Sequence, residues 1–149
     1  MSGKPVWTPR PDPAVTDPKR PGLRPHRHEP DHLHGWVFLQ HQVWVDYWGN
    51  EHEIVLMAPD YLANVIRFCE GQTLGVAVIV WAEIAYRLLM HRAGLGEPPR
   101  PEILDLFSDL EGIRQGGNGS LHDWLHELPL LRALRDRLDA SPSNREPER

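Results

Sequence analysis

The sequence predicts an α+β fold, an N-terminal β-hairpin of two or three strands packed on a bundle of four or five helices. Three observations in this 149-residue chain carry that prediction. Aliphatic and aromatic residues alternate in the apolar runs of residues 36–46, and a Gly49-Asn50 turn with a second apolar run follows, the pattern of strands joined by a tight turn. From residue 59 onward the apolar residues recur at helical spacing, with proline or glycine at most of the expected boundaries. Both ends are depleted in large apolar residues, which confines the fold to residues 35–140 as a single domain.

Residues 1–34 read as a disordered arm rich in proline and histidine. Eight prolines in this stretch remove backbone donors and bias the chain toward extended conformations. In residues 36–46, Val37, Leu39, Val43 and Val45 fall on one face of an extended chain, with Trp36, Phe38 and Trp44 on the other. Gln40, His41 and Gln42 interrupt the pattern, so two short strands also fit. After the turn, residues 52–57 read as the returning strand. A two-residue loop would set Val45 against Ile54 but also Asp46 against Glu53, an unfavourable like-charge pair that a longer loop would avoid.

Pro59 and Asp60 open a helix to about Glu70 with an apolar stripe of Tyr61, Leu62, Val65, Ile66 and Cys69, and Gly71 is its expected stop. Residues 73–92 are apolar on all sides in their first half, the signature of a central buried helix, although Val76, Val78, Ile79 and Val80 also suit a strand. A third helix is expected over residues 101–114. Ser120 is positioned to cap a fourth helix, which Pro129 should break or kink before a stripe of Leu131, Leu134 and Leu138. Residues 141–149 read as a disordered tail.

Charge separates the arm from the body. Residues 1–34 carry a net charge of +2, whereas residues 35–140 carry −7. An acidic body argues against nucleic-acid binding through phosphate contacts, leaving only weak binding by Lys19, Arg20, Arg24 and Arg27 of the arm as an alternative. The one cysteine, Cys69, excludes an internal disulfide and suits a reducing, cytoplasmic compartment. No apolar signal segment is visible, and the run of residues 74–90, broken by Glu83 and Arg87, is short of the ~20 residues of a membrane span.

No complete catalytic grouping is legible and no cofactor is implied. Four histidines in the arm, His26, His28, His32 and His34, could bind a metal adventitiously, without a rigid surround to fix their geometry. His122 and His126 lie four apart on one helix and could share a metal in a hydrolase-like site, but a zincin would carry Glu immediately after the first histidine, and no third ligand is evident. The plainer reading is two surface histidines among acids. Glu83 and Arg87 suit an ion pair one helical turn apart, and Cys69 a core position.

The aromatic set Trp36, Phe38, Trp44 and Trp48 is the candidate partner-binding surface. It marks either burial beneath helices on the second sheet face or an interface, for a protein partner or for self-association.

Within residues 44–68 the set Trp44, Asp46, Gly49, Ile54, Met57, Tyr61, Leu62, Asn64, Ile66 and Phe68 resembles a pattern of small uncharacterised proteins of actinobacterial phages and prophages. The resemblance implies a hairpin leading into a helix and a mobile-element accessory protein acting by binding. It assigns no site residue.

Overall fold

The computed structural model describes residues 11–141; the expectations for residues 1–10 and 142–149 lie outside the described residues. The fold is α+β: a three-stranded antiparallel sheet near the N-terminus packed against helices. The strands are β1 (Leu23–Arg24), β2 (Val43–Val45) and β3 (Glu51–Glu53), in the order β1-β3-β2. A single helical turn, α1 (Pro13–Thr16), precedes them; α2 (Pro59–Gly71), α3 (Thr73–Arg92), α4 (Pro101–Arg114), α5 (Leu121–Leu125) and α6 (Pro129–Ala140) follow.

The arm is the first correction. Instead of a disordered leader, residues 11–34 supply α1 and an edge strand, Leu23 pairing with His52 and Arg24 with Glu51. The physical reason lies in the hairpin tip, which needs partners the body does not provide. Asn50 is fully buried; its side-chain Nδ2 donates to Asp12 Oδ1 at 2.5 Å and its side-chain Oδ1 accepts from the His26 N–H at 2.7 Å. The Gly49 carbonyl accepts from the N–H groups of Arg27 and His28, both at 3.0 Å. Buried polar groups need such partners, and here the arm is their source.

The second correction concerns the expected strand at residues 36–39. Gly35–Leu39 is a 3₁₀ helix, and Val37, Phe38 and Leu39 are buried in succession. A half-buried strand would expose every second residue. A 3₁₀ turn instead fans consecutive side chains by about 120°, so all three reach apolar neighbours, here between α3 and α6. Gly35 permits the approach: a Cβ there would lie 2.6 Å from the Ile79 carbonyl oxygen. Gln40 then closes the turn. Its amide nitrogen donates to Val37 O and Val43 O, and its oxygen accepts from the N–H groups of Gln42 and Val43.

The hairpin loop is five residues long rather than two, so Val45 faces Glu51 and Val43 faces Glu53. The like-charge pairing of Asp46 and Glu53 is thereby avoided. Asp46 turns inward: its Oδ1 accepts from the N–H groups of Trp48 and Asn50, and its Oδ2 lies 2.7 Å from His52 Nε2. Beyond Glu53 the chain leaves the sheet as a second 3₁₀ turn, Ile54–Leu56, in place of the strand expected to Met57.

The helices follow the sequence reading closely. α2 opens at Pro59 and Asp60, and α4 spans the expected residues. Ser120 caps α5 by accepting the Asp123 N–H at 3.0 Å, and Pro129 breaks the chain into α5 and α6. One core joins the 3₁₀ turns and β2 to helices α2–α6, running from Val37 and Trp44 through Leu62, Val80 and Ile84 to Leu125 and Leu134.

Candidate functional site

The aromatic set does not form a shared surface. Phe38 and Trp44 are buried, at 0% and 2% exposure, and their rings meet edge to face at 6.4 Å. Trp44 also meets Phe68 of α2 edge-on at 6.3 Å, so the helices cover the sheet face that was a candidate interface. Trp36 is half-buried with the His28 ring 5.2 Å from it, and Trp48 is half-buried against Tyr47 in the hairpin loop. Of the two alternatives open in the sequence, packing on both sides is the one realised for Phe38 and Trp44.

The arm histidines are drawn to separate partners. His26 faces Asp12 at 3.6 Å, and His28 bonds Glu51 at 2.8 Å. His32 and His34 bond the carbonyl oxygens of Pro30 and Glu29. Glu83 and Arg87 form the expected i,i+4 ion pair at 2.8 Å. Cys69 is buried, and burial pushes its thiol far above the ordinary value, which makes it a core residue rather than a nucleophile.

Two features remain that could act on another molecule. The first is a convergence of metal-binding side chains at Glu70, His122 and His126. One donor atom from each lies within 4.8 Å of the other two, the one such group among the described residues. His122 stands in α5 and His126 caps its C-terminus, with ring centroids 4.8 Å apart. Glu70 comes from the last turn of α2, its carboxylate 2.8 Å from His126 Nε2 and 3.9 Å from His122 Nε2. The histidine pair was legible from its spacing. Glu70, far away in sequence, carried no local signal.

The second feature is α3. Its core contacts come from Val76, Ala77, Val80 and Ile84. Leu74, Val78, Trp81, Tyr86 and Leu89 are 68%, 58%, 41%, 58% and 65% exposed, so the expected central buried helix is half uncovered. Gly75 and Ala82 are exposed between them. No charged residue interrupts the exposed face between Leu74 and Leu89, because Glu83 and Arg87 are part-buried and paired with each other. At its N-terminal half this face descends into an apolar groove of about 570 Å³ lined by Leu74, Ala77, Val78, Trp81, Leu110, Ile113, Arg114 and Leu121. At the rim, Trp81 Nε1 donates to Glu111, which also holds Arg114 at 2.8 Å.

By length and composition α3 alone among the described residues could cross a membrane. Comparisons with protein-family models, with curated proteins and with solved structures find no match to this chain. Residues 44–68 largely build the fold here: Trp44, Ile54, Met57, Leu62 and Ile66 are core, and Asp46 and Gly49 shape the hairpin loop.

Proposed function

We propose that this protein acts by binding rather than catalysis, as an interaction module that pairs with a second copy of itself through the exposed face of α3. The supporting observation is the uncharged apolar stripe from Leu74 to Leu89. A 20-residue helix of this kind is about 30 Å long, and leaving such a face in water is unfavourable.

A second copy suits the stripe because the stripe is self-complementary about Ala82. Antiparallel pairing lays Tyr86 of one copy against Val78 of the other, and Leu89 against Gly75 and Leu74. Small residues at 75 and 82 allow the two helices to approach closely. A partner with charged recognition elements would find no charged side chain of α3 to pair with along this stripe. The resemblance of residues 44–68 to phage and prophage proteins fits an accessory protein of this kind.

The test is the mass of the full chain in solution, measured by light scattering across dilution. A dimer is expected, and Ala82→Glu should weaken it by about 100-fold or more, since it places an unpaired charge at the centre of the contact. Far-UV circular dichroism should be unchanged, because position 82 is exposed. A chain that stays monomeric at about 100 µM, well above a micromolar dissociation constant, overturns self-pairing. So does a dimer that Ala82→Glu leaves intact.

A further inference from the structure

We infer that Glu70, His122 and His126 form a binding site for a zinc-class divalent cation, one that clamps the last turn of α2 to α5. The inference is independent of self-pairing through α3. Two imidazoles and one carboxylate are a donor set suited to zinc and its neighbours, which accept nitrogen and oxygen together at about 2.0–2.2 Å. Hard cations such as magnesium or calcium would require more oxygen donors than this site holds.

The geometry is close to assembled. Donors sharing one zinc ion lie at most about 4.2 Å apart, twice the bond length. Glu70 already meets this limit with both histidines, at 2.8 Å and 3.9 Å, while the widest separation within the group is bounded by 4.8 Å. The remaining closure falls to His122, whose side chain is 57% exposed and can turn without disturbing the core. The Glu70 carboxylate is also accessible, so an ion reaches the site directly from solvent and keeps water on its fourth position.

One feature sets the affinity. His126 Nδ1 is buried without a hydrogen-bond partner. In the metal-free tautomer Nε2–H donates to Glu70 and Nδ1 carries no proton, which leaves no buried N–H unpaired. Coordination through Nε2 moves the proton to Nδ1 and buries an unsatisfied donor. Metal-bound histidines normally place that N–H on an acceptor, and losing such a partner costs about 10- to 100-fold in affinity. Micromolar rather than nanomolar zinc binding follows. The ion would hold together residues more than fifty positions apart in the sequence. It would thereby favour the folded chain, with Leu121 of the apolar groove next to one of its ligands.

The experiment titrates zinc chloride into the tag-free full chain against a chromophoric chelator, and repeats the titration with cobalt(II), whose four-coordinate nitrogen–oxygen sites absorb visibly. One equivalent should bind. Glu70→Gln and His122→Asn, both at exposed positions, should each weaken binding at least about 10-fold. The triple variant His26→Asn, His32→Asn and His34→Asn should bind as the unaltered chain does. The inference is overturned if the unaltered chain binds no equivalent at micromolar zinc. It is equally overturned if Glu70→Gln and His122→Asn leave binding unchanged, or if removal of the three arm histidines abolishes it.

Discussion

Gly49 carries two constraints at once. Its φ is +80°, the left-handed region that side chains with a Cβ seldom adopt, and a Cβ there would lie 2.0 Å from the carbonyl oxygen of His28. The arm crosses the hairpin loop at this residue, so Gly49→Ala should both strain the loop and push the arm away. A loss of about 2 kcal/mol or more is expected, read as a lower midpoint in urea unfolding; an unchanged midpoint would show that the arm does not rest there. At this scale the sequence was partly legible. The Gly-Asn pair announced a turn, and the poor match of Asp46 with Glu53 already argued for a longer loop. That Asp46 would turn inward to two N–H groups and His52 could not be read, because those bonds depend on a register that side-chain alternation alone leaves undetermined.

Among the elements, helices were read more reliably than strands, for a physical reason. The prolines at 59, 101 and 129 each open a helix, and a residue that fixes its own φ marks a boundary whatever surrounds it. The 36–39 segment has no such marker, and its alternation of large apolar residues was produced by a 3₁₀ turn buried on several sides. The α3 face was missed for the converse reason: an all-apolar helix reads as buried, and only tertiary packing decides how much of it is covered. The Glu111 carboxylate braces that face by joining α4 to Trp81 of α3. The Arg114 hydrogen bond, and then that of Trp81, hold its pKa below the ordinary carboxylate value. A carboxylate depressed in the folded state adds stability above its unfolded pKa, and the contribution is lost as pH falls through the folded pKa. The stability difference between the unaltered chain and Glu111→Gln should therefore be present at neutral pH and vanish in acid below the ordinary carboxylate range. A difference that stays constant with pH would mean that the charge of Glu111 plays no part. Its exposed position keeps the effect small.

For the whole molecule, the question raised most sharply by the sequence is where the domain begins. Proline content and net positive charge set residues 1–34 apart as a solvated arm, and those properties are real. They did not preclude order in residues 11–34, because prolines lower the entropy lost when a segment is fixed, and Arg24 and His28 face an acidic hairpin. Arg24 bonds Glu51 at 3.3 Å and Glu53 at 3.1 Å, while His28 bonds Glu51 at 2.8 Å. Glu51 is 8% exposed and Asn50 fully buried, so both depend on the arm for part of their hydrogen bonding. Deleting residues 1–34 should then destabilise the remaining body by about 2–4 kcal/mol, through the lost edge strand and the polar groups stripped of partners. For a body of this size that is a fall in melting temperature of about 10 °C or more, readable by calorimetry. A solvated linker predicts no change, so the two views separate cleanly. Arg24→Ala sharpens the comparison, because it should reproduce a fraction of the loss while leaving the backbone of β1 in place. If truncation lowers stability and Arg24→Ala does not, the arm is held by its backbone pairing, by Asp12 and by His28, and the Arg24 ion pairs with Glu51 and Glu53 contribute nothing to its docking.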